Sequence, residues 1–387
     1  MRVLIAHNRY RLAGGEERHV ELLESGLAEA GVQVRRFEQT SEDLDHAVIK
    51  RMISGLTLTY RPGGGGIRRI LREWEPSVVH FHNIWPLLTP SALRAAKASG
   101  AAVVMTIHNY RFACPGGMLL RGSVVHDDCI YGSSLRCGLR NPRQNRLESI
   151  AYGFALELQR RLGMLRRWVD AFIAPSEFMA RMLVRAGLPQ EHVRVIRHGL
   201  PLGDQPTPSN RRYVLFAGRL SPEKGVRTLL AAARLRPEIP TVFAGDGPLV
   251  SEVELAGEDV QYAGMLSSTA VKKAFRDAAF TVAPSEWNEN CPLSVLESFA
   301  AGRAVIATRI GGLPELVEDG KTGLLVEPHS AHSLASAVAA LWNDPKRAAE
   351  MGRRARREAE NRFGLGRQIA DLVELYSELV SVSQDRR

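Results

Sequence analysis

The chain reads as an α/β protein made of two successive Rossmann-like domains, each a doubly wound parallel sheet. Short apolar runs alternate with helix-periodic segments along nearly the whole length, the pattern of strands covered on both faces by crossover helices. With 387 residues there is chain enough for two cores, and two domains is the natural division at that length. Near the middle, Gly199–Arg211 breaks the alternation with Pro201, Gly203, Pro206, Pro208 and Asn210, a stiff polar linker. The expected domains are residues 1–200 and 201–366, with a closing helix in 367–387.

In the first half the strand candidates are Val3–Ala6, Gln33–Phe37, Val78–Phe81, Ala102–Ile107, Ala171–Ala174 and Val193–Ile196. They are short and rich in β-branched and aromatic residues. Between them Glu16–Ala30, Ser91–Ala98, Arg146–Arg161 and Glu177–Ala186 carry apolar residues at helical spacing,. The second half repeats the scheme with strands at Tyr213–Ala217, Thr241–Ala244, Val260–Tyr262, Phe280–Ala283, Ala304–Ala307 and Gly323–Val326. Arg367–Val382 is a final periodic helix. Gly63–Gly66 lacks the Lys-Ser/Thr that completes a P-loop and reads as a flexible loop,.

Two segments of the second half carry chemistry. Tyr213–Gly225 is a buried strand, a turn at Gly218, and a loop holding Arg219 and Lys224 before a helix at Val226–Leu235. Ligands of open α/β sheets bind outside the carboxyl ends of strands. Arg grips phosphate oxygens in pairs, and Lys acts as a point charge. Thr281–Pro284 is followed by Glu289-Asn290-Cys291-Pro292-Leu293-Ser294-Val295-Leu296-Glu297. Pro292 suits the first helical position, Leu293, Leu296 and Ala300 form one apolar stripe, and Gly302 can end the helix. Glu289 stands in the loop and Glu297 on the second turn. The N–H groups of Asn290 and Cys291 sit at the positive end of the dipole. Carboxylates that each accept two hydroxyls, beside such an end, suit a polyol or a phosphate.

Together, Gly218-Arg219-Leu220-Ser221-Pro222-Glu223-Lys224-Gly225 and the Glu289–Glu297 stretch resemble the retaining GT-B glycosyltransferases of family 4 (glycosyl transferases group 1). The resemblance covers nearly the whole chain and implies two Rossmann-like domains facing across a cleft. It implies a retaining hexosyltransferase that moves sugar from a nucleoside diphosphate sugar to an acceptor hydroxyl. By that likeness Arg219 and Lys224 hold the donor diphosphate. Glu289, helped by the backbone of Asn290, Cys291, Pro292 and Leu293, binds sugar hydroxyls. Glu297 binds the ribose, and the last helix crosses back to the first domain. No cofactor and no metal are expected, the cations supplying the field at the leaving group. A catalytic thiol would need a nearby base; similar enzymes use none at this position, so by the same likeness Cys291 reads as packing.

The first βα turn holds Gly14 and Gly15 after Arg9, Tyr10 and Arg11. It is not a dinucleotide fingerprint. In similar enzymes this pair meets the donor phosphate, although Glu16 and Glu17 would repel an anion there. His108 follows the strand Ala102–Ile107 and resembles the His that relatives place beside the reacting sugar. His80, His82, Asn83 and Trp85 close the preceding strand and are candidates for the acceptor side. Cys114, Cys129 and Cys137 share a loop-rich insertion with His126, Asp127 and Asp128. Three thiols and a His suit zinc, but the spacing has no C-x-x-C knuckle, and an acceptor-side loop is the other reading. Gly245-Asp246-Gly247-Pro248 and Gly264-Met265-Leu266 end strands beside the expected nucleobase edge.

Through position 205 there are 28 Lys/Arg against 19 Asp/Glu, and from 206 onward 23 against 23, so the whole excess of +9 lies in the first half. A basic face with Leu, Trp and Phe between its Arg clusters suits an anionic membrane surface. No nucleic-acid module is present, and nucleic acid is not expected as a partner. No apolar run reaches the roughly 18 residues of a membrane span, and the N-terminus enters a strand without signal-peptide features. A cytoplasmic enzyme is expected, peripheral on the inner face of the plasma membrane where the basic half meets lipid. Four Cys in such a chain do not make a disulfide framework,.

Three rivals stand beside this reading. A metal-dependent GT-A enzyme would need an Asp-x-Asp, for which Asp43-Leu44-Asp45 has only the letters. A sugar-nucleotide epimerase and a non-enzymatic sugar-binding protein share the layout. The acceptor is left as a growing glycan, a lipid-linked glycan or a small natural product, in surface polysaccharide or natural-product biosynthesis.

Overall fold

The computed structural model describes residues 1–9, 14–40, 61–85, 87–203 and 213–385. Two compact units emerge, one of Met1–Arg197 with Gln368–Arg387 and one of His198–Arg367.

The first unit is built on β1 (Arg2–Arg9), β2 (Gln33–Thr40), β3 (Val78–Asn83), β4 (Ala102–Thr106), β7 (Ala171–Ala174) and β8 (Val193–Val195). They pair in the order β2-β1-β3-β4-β7-β8, and every pairing is parallel. Between β4 and β7 a small hairpin, β5 (Leu120–Arg121) and β6 (Val124–Val125), interrupts the alternation. Val3, Leu4, Ile5 and Ala6 are wholly buried in β1, each larger side chain contributing about 1.5–3 kcal/mol by leaving water. The helix Arg146–Arg161 starts where the Asn145 side chain accepts the Glu148 N–H, satisfying one orphan donor.

The second unit holds β9 (Val214–Ala217), β10 (Thr241–Ala244), β11 (Val260–Gly264), β12 (Phe280–Ala283), β13 (Val305–Thr308) and β14 (Gly323–Val326). Their order is β11-β10-β9-β12-β13-β14, again parallel throughout. Val214 and Phe216 join one buried cluster, while Leu215 joins another. Alternate residues of one strand therefore serve two cores, which requires helices on both faces. Both sheets with their crossovers are the architecture of the GT-B fold.

The last helix, Leu365–Asp385, packs on the first unit from Gln368 onward. Its Tyr376 hydroxyl lies 2.6 Å from His80 Nδ1, and Gln368 Nε2 lies 3.4 Å from His19 Nε2.

Two local expectations change. Gly63–Gly66 is not a loop but part of the helix Arg61–Trp74, whose apolar positions Ile67, Leu71 and Trp74 are buried. That tertiary burial outweighs the ~1 kcal/mol per Gly that disfavours a helix interior. Pro292 has φ −66° and ψ 126° and caps the helix Leu293–Ala300 rather than opening it. Gly302, at φ 65°, does close that helix, its N–H donating to Phe299 O at 2.9 Å,. Tyr10, Arg11, Asp43-Leu44-Asp45, Pro206, Pro208 and Asn210 lie outside the described residues. Among the described residues no helix is long and apolar enough to cross a membrane.

Candidate functional site

In the second unit the chain leaves β9 toward β10 on one side and leaves β12 toward β13 on the other. At such a reversal the loops part and leave a crevice at the strands' carboxyl ends. The loop after β9 carries Arg219 and Lys224, and the loop after β12 carries Glu289.

These loops are stitched together. Glu286 N–H donates to Glu223 O at 2.8 Å. Gly225 takes φ 72°, and a Cβ there would lie 1.8 Å from Pro284 O, so only glycine fits. Lys224 Nζ donates to Glu289 Oε1 at 2.5 Å across 65 residues of sequence. Ser285 Oγ donates to the same oxygen at 2.7 Å. Lys224 also sits 5.2 Å from the Trp287 ring centre, within reach of a cation–π contact. Glu289 is only 5% exposed, and its burial is balanced by the cation and the hydroxyl. Arg219 is exposed, and its guanidinium has no partner among the described residues. An unengaged Arg in the same loop as the paired Lys224 offers charge to an anion, while Glu289 keeps a carboxylate to accept hydroxyls,.

Two neighbouring turns hold this frame. Gly218 N–H donates to Ala244 O at 3.0 Å and Leu220 N–H to Asp246 O at 2.8 Å. A Cβ on Gly245 would lie 1.9 Å from Gly218 O, so the Gly245–Gly247 turn backs the Arg219 loop directly. Behind Glu289, Gly312 N–H donates to Glu289 O at 2.6 Å. A Cβ on Gly311 would lie 2.5 Å from Glu289 O, and one on Gly312 2.1 Å from Asn290 O. Asn290, Cys291 and Leu293 are buried, whereas Glu297 is half-buried.

The first unit gathers histidines at the carboxyl ends of its strands. His82 Nδ1 and His108 Nε2 lie 2.9 Å apart, their rings stacked at 5.2 Å. Burial, then the neighbouring His80, His108, His19 and His7, hold His82 well below its ordinary pKa. The nitrogens of His19, His82 and His108 lie within 4.8 Å of one another, a set that could hold a cation. A shallow, open pocket is lined by His82, Asn83, Trp85, His108, Asn109 and Arg111 among others.

Glu17 turns back on the start of the helix Gly15–Glu29, its Oε2 accepting Gly14 N–H at 2.8 Å. Glu16 lies 3.6 Å from His7. Burial, then Glu17, push the Glu16 carboxyl up to about 8 against the pull of Arg111 and Asn109. The repulsion expected of this pair is therefore weakened at neutral pH, because Glu16 is mostly protonated there.

Residues 203–358 match the family model described as Glycosyl transferases group 1, and residues 13–203 match Glycosyltransferase Family 4. The chain belongs to the GT-B glycosyltransferases of the family 4 type. It is 37% identical over 183 residues to D-inositol 3-phosphate glycosyltransferase of Arthrobacter sp. (strain FB24), covering 44% of this chain and 43% of that protein. That stretch is less than two thirds of the relative's own length. Among solved structures it is similar in fold to sucrose-phosphate synthase from Thermosynechococcus elongatus, with a TM-score of 0.76 and 20% identity over 98% of this chain and 99% of that one. Anabaena HepE, solved with UDP and glucose, superposes with a TM-score of 0.70 and 17% identity over 98% of this chain and 100% of that one.

Within this GT-B chain, Gly218, Arg219, Lys224, Glu289, Asn290, Cys291, Pro292, Leu293 and Glu297 belong to the second unit, and Gly14, Gly15 and His108 to the first. One acceptor-side candidate is covered. His80 is wholly buried between the Tyr376 hydroxyl at 2.6 Å and Thr106 Oγ1 at 2.7 Å. It lies two residues deeper in β3 than His82, on the same face, where the last helix covers it. Trp85 packs on Tyr152, ring centres 5.8 Å apart, and still lines the pocket with His82 and His108. Sequence reasoning missed Ser285, Trp287 and the Gly311-Gly312 pair. Two consecutive glycines closely following the β13 segment were the available signal for the last.

Proposed function

We propose that the chain transfers a glycosyl group from a nucleoside diphosphate sugar to an acceptor hydroxyl with retention of anomeric configuration. The observation that carries this reading is the buried Glu289 bonded to Lys224 at the sheet's reversal point, in the loop pair that also carries the exposed Arg219. When the anomeric C–O bond breaks, negative charge grows on the departing diphosphate. Arg219 and Lys224 stabilise it there without a metal, and fixed charges cost no reorganisation at that moment. Glu289 accepts sugar hydroxyls and Glu297 the ribose hydroxyls. The acceptor oxygen bonds to the anomeric carbon, and its proton passes to the leaving phosphate. The nucleotide and glucose bound to HepE support this class of donor. The roles of Gly14, Gly15 and His108 at phosphate and sugar belong to the same proposal.

The acceptor is a glycan, a lipid-linked glycan or a small hydroxylated molecule, and an anionic membrane is the surface on which the enzyme meets a lipid-linked one. Leu139, Leu147, Ile150 and Phe154 are exposed beside the exposed Arg140 and Arg146, an apolar and basic mixture that supports lipid contact. Flotation with anionic liposomes tests the surface: a protein that stays at the bottom of the gradient removes it.

The decisive experiment incubates the protein with UDP-, GDP-, ADP- and dTDP-sugars. Slow donor hydrolysis or thermal stabilisation by one nucleotide series is expected, followed by transfer with the donor's anomeric configuration in the product. Binding of free sugar with no response to any nucleotide would overturn the reading.

A further inference from the structure

The insertion between β4 and β7 holds a second constellation, apart from the donor residues. Cys114 follows the short helical turn Tyr110–Phe112, Cys129 lies in the helix Asp128–Tyr131, and Cys137 in the helix Ser134–Leu139. All three are buried free thiols, and their sulfurs lie within 4.8 Å of one another. The Gly117 N–H donates to Cys114 O at 2.9 Å, closing the turn that carries this thiol. A disulfide could use only two of the three and would strand the last.

We propose that Cys114, Cys129 and Cys137 are ligands of a structural zinc ion, with His126 completing the set. Zinc–thiolate bonds of about 2.3 Å at tetrahedral angles put sulfurs about 3.8 Å apart, so the trio closes by about 1 Å or less. His126 stands three residues before Cys129, in a H-x-x-C spacing. The hairpin places it, through its N–H to Leu119 O at 2.9 Å. Its Nδ1 is buried with no hydrogen-bond partner among the described residues, so the ring has a nitrogen to give, although it stands outside the 4.8 Å group of the three sulfurs and must move to join them.

The scaffold around the thiols is tight, which suits a preformed site. A Cβ on Gly138 would lie 2.4 Å from Ser149 O, and one on Gly153 2.8 Å from Ser134 O, so the Cys137 helix is clamped onto the helix Arg146–Arg161. Glu157 Oε2 accepts both Ser133 Oγ and Ser134 N–H at 3.1 Å. Burial alone would raise Glu157, but Arg161 and Arg160 hold it down to about 2. Three thiolates and zinc leave one net negative charge, and the Arg140 guanidinium, three residues after Cys137, is bound to Asp128 beside the cluster. The same insertion opens with Asn109 and Arg111, which line the His108 pocket. The metal therefore fixes the loop that shapes that pocket without touching a substrate.

The test uses the full chain, purified in reducing buffer with zinc supplied and no chelator. Elemental analysis should find about one zinc per chain, released when a mercurial blocks the thiols. Cys129→Ser and Cys137→Ser should lose the zinc and melt lower, whereas Cys291→Ser, whose thiol is outside the trio, should keep it. Demetallated wild-type protein titrated with cobalt should show sulfur-to-metal charge-transfer bands, a readout that survives even if the Ser variants misfold. His126→Ala should surrender zinc to a chelator at least about tenfold faster, and equal rates overturn its assignment. Wild-type protein that takes up neither zinc nor cobalt, or a disulfide joining two of the three sulfurs, overturns the site.

Discussion

At the residue scale the donor site rests on one short contact. Lys224 and Glu289 each solve the other's burial, and Ser285 adds a hydroxyl to the same carboxylate oxygen. Arg219→Ala should lower turnover on the order of 10²–10³-fold with no change in melting temperature, because the side chain is exposed. Lys224→Ala should lower turnover as much and also destabilise the fold by about 1–3 kcal/mol, since it strands a buried carboxylate; its own 25% exposure keeps this below the full cost of breaking a buried pair,. Paired kinetics and chemical denaturation separate the two, and wild-type turnover in both variants would sink the assignment. Both residues were legible in sequence from type and position after a strand. Their mutual bond was not, because it closes over 65 residues.

At the element scale, glycines set how loops stack. Gly312→Ala would push a methyl to 2.1 Å from Asn290 O. The Glu289–Asn290 loop must then move, and a shift of about 1 Å at a binding group costs on the order of 10²-fold in rate. A Gly312→Ala enzyme with unaltered kcat/KM would show that this backing is dispensable. Gly65→Ala provides the contrast: it lies inside a helix with nothing within 4 Å of its Cβ, and should stabilise the protein by about 0.5–1 kcal/mol in equilibrium unfolding. The last helix is held by Tyr376 on His80. Tyr376→Phe leaves that buried nitrogen short of a partner and should cost about 1–3 kcal/mol by the same measurement.

At the scale of the whole molecule, the buried histidines govern acid stability. Burial lowers His80 and His198 from 6.5 to about 3, and His82 falls well below its ordinary value for the same first cause. Below about 6.5 the unfolded chain takes up protons that the folded chain refuses, so stability is lost as pH falls toward about 3. Glu16 works in the other direction. Its folded pKa is raised from 4.5 to about 8, so its contribution is full below 4.5 and is lost as pH rises through about 8. Denaturation across pH should therefore show a maximum near 6.5. Glu16→Gln should flatten the alkaline limb and leave the acid limb in place; an unchanged alkaline limb would remove Glu16 as its cause.

The alternation of strand and helix, the two sheets and the two motif loops could be read from the chain because they depend on local rules: apolar period, glycine at turns, cations and carboxylates after strands. Gly63–Gly66 shows the limit of those rules, since burial of Ile67, Leu71 and Trp74 carries a helix through a glycine run. Strand order was the tertiary contribution that mattered most. It laid β9 beside β12 and so joined Lys224 to Glu289, while helix packing laid the last helix over His80 and gathered three cysteines with no recognisable spacing into one cluster. Residues far apart in sequence meet only when backbone pairing and core packing choose which strand ends are neighbours, and no local pattern encodes that choice.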